Sequence, residues 1–161
     1  MITANDIPTN ANPLDCDYTS VDVRRAVLAG NLPYELQVRI CEVQQYKPGS
    51  SHAGDSFIYV ELTNIMPGQT PTGDVVNPGQ VVIFDRINLR PYGKMTQKMV
   101  NESIARFQQA FTKTPQKLSE TVAQAAGRTV KANVRLDPAG TSTTGKSFPE
   151  KNSIGYYLPA S

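Results

Sequence analysis

The stretch 56–63 alternates strictly between apolar and other side chains, and it constrains the fold more than any other part of the chain. Period-two alternation indicates a half-buried β-strand. One face carries Ile58, Val60 and Leu62, and the other carries Phe57, Tyr59 and Glu61. Burial of each aliphatic side chain contributes about 1.5–3 kcal/mol, so the aliphatic face is predicted to be core. The opposite face then holds two aromatic rings that need a partner.

Four further segments alternate in the same way: 34–46, 80–89, 128–136 and 154–158. In the first of them the apolar parity shifts at Cys41, which indicates a bulge or a strong bend. In the second, Asp85 falls on the apolar side, which predicts a strand end or a second bulge. Residues 96–112 have helical periodicity, and Thr114 with Pro115 predicts the start of a second helix that Gly127 ends.

This order predicts a mainly β protein with a helical insertion, of the α+β type. Three strands, the helices between strands 3 and 4, and two more strands match an OB-like five-stranded barrel. Residues 1–18 are predicted to be an irregular leader, and residues 19–161 a single OB-like domain. Within it, Thr19 or Ser20 would cap a short helix that Gly30 ends as a left-handed stop.

The charge is divided unevenly along the 161 residues. Residues 1–85 hold 4 basic and 10 acidic side chains, whereas residues 86–161 hold 12 basic and 4 acidic ones. This asymmetry predicts a surface for a polyanion, built mainly by the second half. The alternative is a solvated surface that is simply uneven.

Cysteine content and hydropathy predict a soluble cytoplasmic protein. The two cysteines, Cys16 and Cys41, have no metal-binding spacing and suit a reducing compartment. No run of 18 apolar residues and no signal-peptide pattern occur, so no contact with a membrane is expected.

The face opposite the core combines aromatic and cationic side chains, which is the combination that binds single-stranded nucleic acid. Bases stack on rings for about 1–3 kcal/mol each, while cations follow the phosphates. The predicted binding residues are Arg39, Phe57, Tyr59, Phe84, Arg86, Lys131, Arg135, Lys146, Phe148 and Lys151. Two alternatives remain: the rings form a second small core beneath the N-terminal segment or the helices, or they form a protein interface.

Residues 140–147, with the sequence GTSTTGKS, match the pattern of a phosphate-binding loop letter by letter. That pattern binds phosphate only when a strand leads in and a helix begins at the lysine. Phe148 and Pro149 follow instead, so a flexible loop that carries Lys146 is predicted. The single histidine, His52, lies in a Gly/Ser loop, and the carboxylates show no catalytic pairing. No enzymatic activity, cofactor or metal is therefore expected.

The C-terminal part contains two motifs, GRTVKANV at residues 127–134 and GKSFPEKNSI at residues 145–154. In these two motifs the chain resembles small phage-encoded single-stranded-DNA-binding proteins. The resemblance implies an OB-type fold and a role in phage replication or recombination, in the host cytoplasm. The chain ends in YYLPAS, whereas such proteins often end in an acidic tail that recruits partners.

The expected function is therefore sequence-tolerant binding of single-stranded DNA. The alternative is a structural or assembly protein of the virion type, which would use the same face for contacts between its own subunits. The sequence does not decide whether the chain self-associates.

Overall fold

The computed structural model describes Leu14, residues 27–51 and residues 53–160, which form nine strands and two helices. The predicted leader and the helix after Thr19 lie almost entirely outside these residues. The long strands are β1 (Leu32–Gln45), β2 (Ser56–Asn64), β5 (Val82–Asn88), β6 (Thr129–Asp137) and β9 (Lys151–Tyr157). The short strands are β3 (Gly68–Gln69), β4 (Val75–Val76), β7 (Gly140–Thr141) and β8 (Ser147–Phe148). The helices are α1 (Gln97–Phe111) and α2 (Leu118–Gln124).

The five long strands form one sheet in the order β5-β2-β1-β6-β9, in which every neighbouring pair is antiparallel. The edge strands β5 and β9 approach each other, so the sheet curls into a nearly closed five-stranded barrel. Since each step along the sheet reverses direction, the two edge strands run the same way. The mainly β class and the barrel are confirmed.

The aliphatic face of β2 is core, as predicted. Ile58, Val60 and Leu62 are completely buried, together with residues of β1, β5 and β6. Helix α1 contributes Phe107 and Phe111 to the same cluster. The barrel interior is therefore a packed core, and any ligand must bind on the outside or at the seam between β5 and β9.

The helices occupy one continuous segment between β5 and β6. Counted over all nine strands, they follow the fifth strand, so the predicted placement between strands 3 and 4 is not matched. The two additional strands before the helices come from the segment 64–79, which the sequence predicted to be only a wide turn and which contains the hairpin β3–β4. Helix α2 begins at Leu118, after the predicted start at Pro115, and the Glu120 carboxylate accepts the Lys117 N–H at 3.2 Å.

The parity shift in β1 is a bulge at Arg39. Val38 pairs with Leu62 and Ile40 pairs with Glu61, so Arg39 is the extra residue. From Ile40 to Gln45 the alternation is reversed, which brings Cys41 toward the core and Glu42 to the outer face. The prediction of a bulge is confirmed.

The chain enters β1 through a left-handed residue, but that residue is Asn31, with φ 61°, rather than the predicted Gly30. Glycine is needed at position 30 for space. A Cβ there would lie 2.7 Å from the backbone nitrogen of Leu136.

Candidate nucleic-acid interface

Tyr59 and Phe84 form a stacked pair of rings on the outer face of the barrel. Tyr59 lies on β2 and Phe84 on the adjacent strand β5, where it pairs with Glu61. Their ring centroids are 6.2 Å apart and the planes are 24° from parallel. Phe84 is 47% exposed, whereas Tyr59 is half-buried. This pair is an open aromatic surface of the kind on which a base can stack.

Phe57, predicted to be a second open ring, is only 3% exposed. The ring of Tyr46 packs against it with centroids 4.5 Å apart. The guanidinium of Arg86 lies 5.1 Å from the centre of Phe57 and 5.8 Å from that of Tyr46, within the range of a cation–π interaction. The expectation of exposure is therefore wrong for Phe57. Arg86 itself is exposed, but its charge is already engaged with these rings.

Tyr46 is a residue that the sequence reasoning missed. Its hydroxyl donates a 2.6 Å hydrogen bond to the Asn88 side-chain oxygen, which fixes the ring beside Phe57. The sequence could have indicated Tyr46 through its spacing. After the bulge, Glu42 and Gln44 face outward, and Tyr46 is two residues after Gln44.

Two carboxylates, Glu42 and Glu61, lie beside Tyr59 on this face, while Arg86 pairs with it on the β5 side. Glu42 pairs with Tyr59 across the strands, and the Tyr59 hydroxyl donates to Glu61 at 3.4 Å. Burial, followed by the charge of Glu61, raises the pKa of the Tyr59 phenol. Burial and Glu42 likewise raise the pKa of the Cys41 thiol to about 11, so the thiol stays protonated at neutral pH. The β1 side of this face is acidic and would repel a phosphate backbone.

Arg39 does not take the place that was predicted for it. Because Arg39 is the extra residue of the bulge, Ile40 stands opposite Glu61 on the outer face and is 39% exposed. Arg39 is exposed but has no paired position beside Tyr59.

A groove of about 400 Å³ lies at the seam between the first half of β5 and the start of β9. We call it the Phe84 groove. It brings Phe84 and Lys151, two predicted site residues, to one surface. Its lining comprises Val27, Glu61, residues 80–82, Phe84 and residues 150–153.

Arg135 borders this groove through Ser153. The two residues pair across β6 and β9, and the guanidinium donates to the Ser153 hydroxyl at 3.4 Å. Arg135 also lies 3.7 Å from Asp137, which pairs with Lys151. The two cations thus lie on neighbouring strands, on the same outer face.

Lys131 is on the same strand as Arg135, but it pairs with Glu35 of β1. Its ammonium lies 3.8 Å from the Glu35 carboxylate. It does not line the Phe84 groove.

Residues 140–147, which match the pattern of a phosphate-binding loop, lie in the hairpin β7–β8. Lys146 is in its turn and Phe148 is on strand β8. The Ser142 N–H donates to the Lys146 carbonyl at 2.8 Å, and Gly145 takes a left-handed φ of 85° at the turn. Strand β8 follows the lysine where a phosphate-binding loop needs a helix. Phe148 is 46% exposed and its ring lies over Gly140, where an added Cβ would be 3.0 Å from it.

In the part of the chain that the structure describes, no helix has the length and apolar character to cross a membrane. Among the same residues, no three His, Cys, Asp or Glu side chains are grouped so as to hold a metal ion.

No protein-family model matches this sequence, and no curated protein matches it. Function is therefore inferred from the geometry of the outer face and from the charges that border it.

Proposed function

We propose that the protein binds single-stranded DNA, without catalysis, on the outer face of β2 and β5 and across the seam to β9 and β6. Bases stack on the Tyr59–Phe84 pair, and phosphates contact Lys151 and Arg135. The observation that carries the proposal is the position of Phe84, which is 47% exposed, stacked on Tyr59, and part of one groove with Lys151.

The free energies of base stacking and of the exposed ion pair near the groove favour DNA binding on this surface. Each stacked base contributes about 1–3 kcal/mol. The ion pair of Arg135 with Asp137 is exposed, with side chains 57% and 33% accessible, and such pairs contribute only about 0–1 kcal/mol. A phosphate can therefore replace Asp137 at little cost, and the release of counterions from the DNA adds to affinity.

The finer assignment of the barrel as OB-like belongs to the same proposal. It takes β1, β2, β5, β6 and β9 as the five strands, and treats β3–β4 and β7–β8 as hairpins within loops. OB folds bind oligonucleotides on the surface of their second and third strands, which here carry Tyr59 and Phe84. The resemblance of the C-terminal motif to phage proteins suggests that the DNA belongs to phage replication or recombination in the host cytoplasm.

Fluorescence anisotropy of labelled oligo-dT at several salt concentrations tests the proposal. The logarithm of the affinity should fall against the logarithm of salt with a slope of about −0.7 for each phosphate neutralised on a single strand. An absence of oligo-dT binding at low salt would refute the proposal.

The acidic side of the face favours a second candidate, a protein that assembles with its own copies. Glu42 and the exposed Ile40 on β1 form an apolar and acidic surface that suits a protein partner better than DNA, and Glu61 lies between this surface and Phe84. Light scattering after size-exclusion chromatography distinguishes the two functions. A large assembly that forms without DNA and has no affinity for oligonucleotides supports the second.

A further inference from the structure

A second groove runs between α1 and β9, and we call it the helix groove. It consists of two adjoining cavities of about 280 and 390 Å³, which share Arg106, Tyr156 and Tyr157. Each is near the lower end of the range of about 300–1,000 Å³ for small-molecule sites. The first cavity is lined by residues 85–87, Met99, Glu102, Ser103, Arg106 and residues 154–157, and the second by Arg106, Gln109 and residues 156–159.

The exposed walls of this groove follow from the faces of its two elements. Helix α1 buries Val100 and Phe107, so Met99 and Arg106, one position before each of them, lie along its flank. Met99 is 51% exposed, although it is large and apolar. On β9, Tyr157 is buried and packs edge-on against Phe107, with centroids 5.5 Å apart. Its neighbour Tyr156 is 46% exposed in the groove.

The lining of this groove holds two cations, and Arg106 is the one available to an anion, since Arg86 lies over the rings of Phe57 and Tyr46. Arg106 makes no ion pair with any described residue. The two carboxylates of the lining have partners: Asp85 accepts from the Tyr157 hydroxyl and the Arg86 N–H, and Glu102 lies 3.9 Å from Lys98.

The helix groove continues the Phe84 groove along one seam. The Phe84 groove ends at Phe84 and Ser153, and the helix groove begins with the next residues, Asp85 and Ile154. On β9 the lining of the first cavity of the helix groove, residues 154–157, follows that of the Phe84 groove, residues 150–153, by four positions, which is about 13 Å at about 3.3 Å per residue along a strand. A single strand that lies in the first groove can therefore extend into the second.

We infer that the helix groove is a second subsite for the same strand of DNA, an inference that rests on the proposed function. A base stacks on Tyr156 against Met99, and the adjoining phosphate contacts Arg106. Tyr156 and Arg106 thus extend the binding surface beyond the face of β2 and β5.

Anisotropy with oligo-dT of two lengths, about 4 and about 12 nucleotides, tests this inference, because one OB fold covers about 4–16 nucleotides. The long oligonucleotide should bind the wild type more tightly than the short one. Tyr156→Ala should lower the affinity for the long oligonucleotide by about 5- to 150-fold and leave the affinity for the short one unchanged. Tyr156→Phe, which keeps the ring, should retain the wild-type affinity for the long oligonucleotide.

Arg106→Gln gives an independent measurement from an exposed helix position. It should lower the affinity for the long oligonucleotide and make the salt slope shallower by about 0.7. Lys113→Gln removes the same charge away from both grooves and should leave the salt slope unchanged.

If both Tyr156→Ala and Arg106→Gln bind the long oligonucleotide as the wild type does, the second subsite is refuted and the proposed function stands. If the wild type binds neither length, the proposed function itself fails, and the second subsite fails with it.

Discussion

The phenol of Tyr157 donates a hydrogen bond to the carboxylate of Asp85 over 2.8 Å, and this contact joins the two edge strands of the barrel. Asp85 keeps its regular pairing with Val60, although the sequence predicted that a charged residue on the apolar side would end or bulge the strand. The strand continues because the partner on β9 and the Arg86 N–H satisfy the carboxylate.

Tyr157→Phe should lower the free energy of unfolding by about 1.5–3 kcal/mol, the usual contribution of a hydrogen bond to a charged group. Urea denaturation measures the change. Tyr156→Phe is the matched control: it removes an exposed hydroxyl and should change stability by less than about 0.5 kcal/mol. Equal effects at both positions would show that the contact across the seam contributes nothing.

Asp85→Asn should flatten the dependence of stability on pH. Burial raises the pKa of the Asp85 carboxyl, and the hydrogen bonds from Tyr157 and Arg86 offset only part of that effect. The folded state therefore binds the proton more tightly than the unfolded state. Stability from this group is complete below the unfolded pKa of about 3.9 and is lost as pH rises through the folded pKa.

Urea titrations across this pH window compare the two proteins. The wild type should lose stability relative to Asp85→Asn as pH rises, and the difference in stability should become independent of pH on acidification below the unfolded pKa. Parallel profiles would contradict the assignment of this pH dependence to Asp85.

Phe84→Ala should lower the affinity for DNA, whereas Phe57→Ala should lower the stability of the fold. Phe84→Ala removes an exposed ring, so oligo-dT affinity should fall by about 1–3 kcal/mol with little change in the urea midpoint. Phe57→Ala removes a buried ring and should cost about 3–5 kcal/mol of stability. Loss of folding in the Phe84 variant would mean that this ring is structural.

Lys151→Gln and Arg135→Gln should each make the salt slope of oligo-dT binding shallower by about 0.7, if each side chain neutralises one phosphate. The slope is measured by anisotropy over a salt series. Lys131→Gln is the control on the same face, because Lys131 lies against Glu35 away from the groove. A Lys131 variant with the same loss would indicate a different path for the DNA.

Gly30→Ala should destabilise the barrel, because the new methyl group would lie 2.7 Å from the Leu136 backbone. Chemical denaturation should show a loss of about 1–3 kcal/mol, typical of forced overpacking. Gly49→Ala, where a Cβ meets nothing within 4 Å but φ is 89°, separates this steric effect from left-handed strain. A smaller loss at position 30 than at position 49 would refute the steric argument.

Alternation was sufficient to predict the five long strands, and the core face of β2 follows directly from period two, since Ile58, Val60 and Leu62 are buried. In β9 it was not sufficient: the pattern set Tyr156 inward with Ile154 and Leu158, but Gly155 is an extra residue in the pairing with β6, and Tyr157 is the buried ring. The same signal could not separate an exposed ring from a covered one. Phe57 and Phe84 lie on equivalent faces of β2 and β5, yet Tyr46 and Arg86 cover only Phe57. That cover comes from a strand end 11 residues away and from a neighbouring strand, and period two within one strand carries no information about either.

The candidate site was predicted in part for a related reason. Phe84, Lys151 and Arg135 come together because β5 and β9 close the barrel, so their proximity depends on curvature that sequence spacing does not encode. Arg106 and Tyr156 were missed because their periodicity indicated only a helix stripe and a strand. The signal for the role proposed for them is exposure, which becomes visible only after α1 is placed against β9.

The bulge at Arg39 decides the sign of the charge that a ligand meets on the β1 side of the barrel. With regular pairing, the cation of Arg39 would stand opposite Glu61, and the Glu42 carboxylate would point into the core. The extra residue instead presents Glu42 to solvent beside Tyr59 and removes Arg39 from the row. One additional residue in a strand thus sets the charge of this face, and under the proposed function it would direct the DNA away from β1 and toward the seam.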